Sequence, residues 1–287
     1  EDYTSALKDL DRAIDLAPDN PLYLNNRADF YKTQENYDEA LKDFATVIEI
    51  STDDYGTMRA INNRAIIYEF QEKYDLAIEE YTKGLLIENH PLIFENRAAV
   101  YEYLEDYDKA LADYTSAIDL DKENPELYDY RADCYIEMED YNSALVDLSK
   151  AIDLDPDEAK WYVYRSGIYH YIKDKEKQLN DINTALDLDK EYAYGYKERG
   201  DFYLNEKDYD NAIADYLQAI NFDSLSNYSK SHLASCYLEL EKYSKALQVL
   251  NDAIAIDSTY TTFYYDRLQC YILLGDTLKA FEDAETY

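Results

Sequence analysis

A 34-residue period runs through the chain and constrains its fold more than any other feature. Stepping by 34 from residues 125–158, Arg131 falls on Arg97, Arg165 and Arg199, Tyr135 on Tyr101, Tyr169, Tyr203, Tyr237 and Tyr271, and Ala151 on Ala117, Ala185, Ala219 and Ala253. Within one period Leu127, Tyr128, Ala132, Tyr135 and Ile136 share one helical stripe, and Tyr141, Ala144, Leu145, Leu148, Ala151, Ile152 and Leu154 share a second. Glu139 and Asp140 are expected to turn the chain between the two helices, and Asp155, Pro156 and Asp157 to stop the second. A hairpin this short cannot bury its own apolar face, so neighbours must stack to make a core.

Large residues at repeat positions 4, 11, 17 and 24 and small ones at 8, 20 and 27, as in Tyr135, Tyr141, Ala132, Ala144 and Ala151, resemble the tetratricopeptide repeat (TPR) motif across essentially all 287 residues. The resemblance implies an all-α fold, a right-handed superhelical solenoid of stacked helical hairpins. We read one solenoid over 1–287: a lone second helix at 1–17, full repeats at 21–57, 58–90, 91–124, 125–158, 159–192, 193–226 and 227–260, and a partial repeat at 261–287. The long first repeat is expected to place its extra residues in a loop over 51–57, rich in Ser, Thr, Asp and Gly. Because Tyr3, Ala6, Leu10 and Ala13 open inside a motif, and Ala280, Ala284 and Tyr287 close inside one, the chain is expected to be a piece of a longer protein.

With 62 acidic and 28 basic residues the net charge is −34. That charge opposes nucleic acid, whose phosphates need clustered Lys and Arg, and opposes anionic membrane surfaces, while drawing in basic partners. No apolar run reaches the about 18 residues of a membrane-spanning helix. Cys134, Cys236 and Cys270 are separated by whole periods and share the place held elsewhere by Phe30, Ile67, Val100, Ile168 and Phe202. They read as small core residues. Equivalent points on packed helices lie about 8–10 Å apart, beyond the roughly 7 Å limit for a disulfide, and no metal-ligand spacing is present. The scattered His90, His170 and His232 make no catalytic constellation. The Asp-Leu-Asp runs at Asp119, Asp153 and Asp187 lack the Gly and Glu of a calcium loop and read as turns.

No catalytic residue, metal site or cofactor site is therefore expected, and the chain reads as a non-catalytic protein–protein interaction scaffold. A rival reading is the regulatory or substrate-recruiting arm of an enzyme whose catalytic domain lies outside this chain. A third is a spacer or self-assembly element that associates weakly end to end.

Position 7 is Arg in seven of eight repeats, at Arg27, Arg64, Arg97, Arg131, Arg165, Arg199 and Arg267; sixteen residues on stand Asp43, Glu80, Asp113, Asp147, Asp181, Asp215 and Asp283. The seventh repeat has Leu233 and Val249 at these two places. Joint loss points to an ion pair inside each repeat, because removing one partner of a buried pair costs about 3–5 kcal/mol whereas replacing both is often neutral. The fifth repeat departs from the pattern with Lys175 in place of Tyr and Gln178 in place of Ala, which should loosen its hairpin or aim an amide at a partner.

In TPR arrays the concave groove is lined mainly by positions 2, 5, 6, 9, 12 and 13 of the first helix. Position 6 gives a short ladder of Asn26, Asn63 and Asn96, which resembles the ladders that hold peptide backbones in some family members; the alternative is that Asn-Arg-Ala is simply common there. The carboxylate clamp of other members is absent, since position 6 never holds Arg. Glu126, Asp129, Asp133 and Glu137 gather acid on one face, flanked by Glu95 and Glu102. Gly167 is expected to leave a gap beside Tyr171, Tyr194 and Tyr228. Acid and rings across the third to sixth repeats would suit a basic, extended or helical segment of a protein or peptide; the plain alternative is a solvated acidic face.

Overall fold

The computed structural model describes residues 3–285; Glu1, expected in the first helix, and Tyr287, expected near the end of the last, lie outside the described residues. Among the described residues there are seventeen α-helices and no strand. The chain divides into two compact units, residues 1–147 and 148–287. The first holds α1 (Tyr3–Leu16), the hairpins α2/α3 (Pro21–Thr33, Tyr37–Ile50), α4/α5 (Asp54–Phe70, Tyr74–Ile87) and α6/α7 (Pro91–Tyr103, Tyr107–Leu120), then α8 (Pro125–Glu137) and the first half of α9 (Tyr141–Leu154). The second holds the rest of α9 and the hairpins α10/α11 (Ala159–Tyr171, Lys175–Leu188), α12/α13 (Ala193–Asn205, Tyr209–Phe222), α14/α15 (Asn227–Glu239, Tyr243–Ile256) and α16/α17 (Thr262–Leu274, Thr277–Ala284).

Within each unit a second helix packs on its own first helix and on the next one, as α3 does on α4 and α13 on α14. The small positions make this possible. Ala28 with Ala40, Ala65 with Ala77, and Ala98 with Ala110 are fully buried in shared clusters, so the helix backbones can approach closely. Gly200 takes the same place in its hairpin, where a Cβ would lie 2.8 Å from the Tyr216 ring.

Helix starts follow their capping residues. Asn20, His90 and Asn124 each accept a backbone N–H two residues on, with Pro21, Pro91 and Pro125 at the first helical position. The turn inside each hairpin is a left-handed cap: Glu139 sits at φ 59°, its N–H donates to the Ile136 carbonyl at 2.9 Å, and the Asp140 N–H donates to the Tyr135 carbonyl at 2.8 Å. Glu35, Glu72, Glu105, Lys173, Lys207 and Glu241 hold the same conformation, and only the last hairpin uses glycine, Gly275.

The loop expected over 51–57 is a correction. Asp53 caps α4 by accepting the Gly56 N–H at 2.8 Å, and its carbonyl accepts the Thr57 N–H at 3.1 Å. The extra residues therefore wind one more helical turn before the buried Met58 instead of lengthening the connection.

All seven arginines reach the acid sixteen residues on. Arg131 donates from Nε and Nη2 to the two Asp147 oxygens at 2.8 and 2.7 Å, and five other Arg–Asp pairs repeat that bidentate geometry. Arg64–Glu80 is looser at 3.4 Å, the longer Glu side chain fitting the fork less well. The seventh repeat keeps Leu233 and Val249 in one apolar cluster. The structure adds a second partner: Nη1 of Arg131 donates to Thr115, that of Arg165 to Ser149, that of Arg199 to Asn183 and that of Arg267 to Asn251, each on the preceding second helix. Each such arginine thus ties two hairpins together. Cys134, Cys236 and Cys270 are unpaired thiols, buried as expected, and burial pushes them up to about 12, 12 and 11.

Candidate partner-binding site

In the N-terminal unit, α6, α7 and α8 enclose an open cavity of about 770 Å³. Glu95, Ala99 and Glu102 face it from α6 at steps of four and three, Asp133 and Glu137 from α8 at a step of four, and small Ala99 leaves the room. Tyr103, Tyr107 and Tyr130 supply ring walls. Glu105 brings the carboxylates to five, and the lining contains no Lys, Arg or His. Glu102 is steadied by the Tyr114 hydroxyl, which donates to it at 2.8 Å.

This crowding shows in the protonation equilibria. Although Asp133 as a residue is exposed, protein surrounds its carboxyl; that desolvation, followed by the charges of Glu102 and Glu137, pushes it up to about 6. Burial, then the charge of Glu126, raises Glu95 above the usual carboxylate range. Asp133 and Glu137 thus meet Glu95 and Glu102 in one cavity. Glu126 and Asp129 do not line it: Glu126 is half-buried and Asp129 is 9% exposed.

Tyr171, Tyr194 and Tyr228 belong to the C-terminal unit, where they line a cavity of about 360 Å³ with Gly167, whose missing side chain leaves open space around it. Here the chain supplies its own cation. Lys197 Nζ lies 4.8 Å from the Tyr194 ring and 4.7 Å from the Tyr228 ring, and pairs with Glu198 at 2.6 Å and Asp201 at 3.5 Å. Burial works against the lysine's charge, yet the two acids outweigh it and hold its pKa above the ordinary value. Asp201 also accepts the Tyr216 and Tyr228 hydroxyls at 2.5 and 3.1 Å. Burial, then Asp201, pushes the Tyr228 phenol up to about 12.

The asparagines are placed unequally. Asn26 is exposed; Asn63 is buried, donating to Asp29 at 3.0 Å and accepting from Lys32 at 2.6 Å; Asn96 donates to Asn62 at 2.9 Å. Two of the three amides are therefore engaged between neighbouring hairpins. Sequence reasoning missed Tyr103, Tyr107, Tyr130 and Lys197. Tyr103 and Tyr130 sit at groove positions 13 and 6, so a search for rings in the third and fourth repeats would have found them.

Three family models described as tetratricopeptide repeat match residues 19–85, 104–163, and 196–224 with 229–260. No curated protein matches the chain. Among solved structures, a tetratricopeptide repeat protein from Parabacteroides merdae is similar at 17% identity and TM-score 0.63, over 87% of this chain and 98% of that one. Yeast Tom70 is similar at 14% identity and TM-score 0.60, over 100% and 82%. YrrB, described as a TPR protein with an unusual peptide-binding site, is similar at 20% identity and TM-score 0.51, over 68% and 96%.

Proposed function

Because the chain belongs to the tetratricopeptide repeat family, we propose that it is a non-catalytic protein-interaction scaffold whose acidic cavity receives a basic segment of a partner protein. The observation that carries this reading is the cavity of α6, α7 and α8, with five carboxylates, tyrosine walls and no cation of its own. A carboxyl held up near 6 by burial and like charge is relieved when a cation arrives. A lysine or arginine entering there would pair with Asp133 and Glu102 and lie against Tyr103 or Tyr130. Exposed pairs contribute only about 0–1 kcal/mol each, so the acids mainly steer the partner and the rings supply buried contact.

The test uses fluorescence anisotropy of labelled octa-lysine, with octa-glutamate as the opposite charge. Glu102→Gln with Asp133→Asn should weaken octa-lysine binding about tenfold and flatten its salt dependence. Asp119→Asn with Glu123→Gln removes the same charge from exposed positions outside the cavity and should change little. Equal weakening by both variants would show diffuse attraction to an acidic surface and overturn the reading.

A further inference from the structure

The fifth repeat departs from the array at several places, and the structure brings three of them together. Position 20 is Ala in every repeat but this one, which has Gln178, and position 9 is glycine only here, at Gly167. Gly167 and Gln178 line the cavity that holds Tyr171; Gln178 and Lys175 line a second one of about 360 Å³. His170, Tyr171, Gln178, Phe202 and Asn205 border both, so the two are lobes of one recess within the C-terminal unit. Drift in unrelated positions would scatter. Here the departures converge on one space.

Two features define what fits. Gln178 is 7% exposed and faces both lobes, and its side-chain amide makes no hydrogen bond to the described residues. Neither polar atom of this amide is sealed from solvent without a partner; the amide opens onto the recess, where it can both donate and accept. The carboxylates, in contrast, are already answered. Lys197 pairs with Glu198 and Asp201, Lys175 pairs with Glu206 at 2.6 Å, and Lys173 stands on the rim. A cation would find its carboxylates taken, unlike in the acidic cavity of the N-terminal unit.

We propose that this recess is a receptor for one uncharged aromatic side chain with a hydrogen-bonding group, of the tyrosine type, from a partner protein. The ring seats against Tyr171 and Phe202 in the space left by Gly167, and its polar group meets the Gln178 amide. This goes beyond the basic-segment reading and stands without it, since it uses other residues and another ligand chemistry.

Three blocked tripeptides, acetyl-Gly-Tyr-Gly-amide and its Phe and Arg counterparts, are titrated to about 10 mM, a range that detects single side-chain anchors, and followed by amide chemical shifts. Expected are shifts confined to the ends of α10 and α12 and the start of α11, with the Phe peptide about threefold and the Arg peptide about tenfold weaker than Tyr. A Cβ added at Gly167 meets nothing within 4 Å, and Gln178→Ala restores the residue of the other repeats, so both variants are expected to keep the fold, which an unchanged far-ultraviolet circular dichroism spectrum checks. Gly167→Leu should weaken the Tyr peptide about tenfold, and Gln178→Ala should erase the preference of Tyr over Phe. Arg binding as well as Tyr, no binding at all, or an unchanged affinity in Gly167→Leu would each overturn the proposal. The octa-lysine experiment is independent of every one of these outcomes.

Discussion

Rewriting the fourth repeat's arginine cluster as the seventh repeat has it gives a quantitative test of what holds the array together. Leu217 on the second helix of the sixth repeat, with Leu233 and Val249 of the seventh, stand where Thr115, Arg131 and Asp147 stand. The Arg131 side chain keeps 17% of its exposure and that of Asp147 only 4%. Arg131→Leu therefore strands a carboxylate that water barely reaches, and the cost falls near the lower end of the range for breaking a buried pair, about 3 kcal/mol. Asp147→Val strands a guanidinium that water does reach and that lies 5.9 Å from the Tyr128 ring, so its cost is smaller, about 1–2 kcal/mol. The double variant removes both charges and should lose under about 1 kcal/mol, which makes the coupling at least about 3 kcal/mol. Adding Thr115→Leu should cost little more, because Thr115 is exposed. Solenoids open piecewise, so urea unfolding is paired with native-state hydrogen exchange of α8 and α9. An additive double variant, with coupling under about 0.5 kcal/mol, would refute the idea that the pair is buried as a unit.

Further outcomes test other parts of the structure. Glu139→Gly relieves a left-handed residue and should raise stability by about 0.5–1 kcal/mol in urea unfolding, while Gly275→Glu should lower it by a similar amount. Gly200→Val forces a side chain into the Tyr216 ring and should cost about 2 kcal/mol, visible as a lower midpoint with unchanged slope. Asp133 has a folded value near 6 above its ordinary 3.8, so its charge opposes folding in full above about pH 6 and ceases to do so below about pH 4. Asp133→Asn should therefore be the more stable protein at pH 7.5 and lose that advantage by pH 4, in chemical denaturation across that range.

The helices were legible because the signals that set them are local: the 34-residue step, proline after a capping residue, and a two-residue turn all lie within one repeat. The ion pairs were legible because a single exception, Leu233 with Val249, named both partners at once. The third partner was missed although its sign was present: Leu217 is apolar where Asn183 and Asn251 are polar. The loop over 51–57 was misread because Asp-Tyr-Gly-Thr suits a turn and a capped helix start equally, and only the Asp53 side chain bonded to Gly56 decides between them.

The sites were less legible, because they depend on which charges are already answered by the chain's own residues. A count of −34 treats every carboxylate alike, yet Asp147 is held by Arg131, Asp201 by two tyrosines and Lys197, and Asp133 faces Glu102 and Glu137 across a cavity lined by no cation. The same reasoning separates the rings. Tyr194 and Tyr228 would suit a foreign lysine until Lys197 is seen between them, whereas Tyr103 and Tyr130 border the cavity that lacks one. Lys197 is one residue in a row of first-helix side chains, and nothing in its sequence position says that it folds back onto the rings of its own and the next repeat. What a repeat can bind is thus set by the charge left over after neighbouring repeats have paired, and that remainder exists only in the stacked structure.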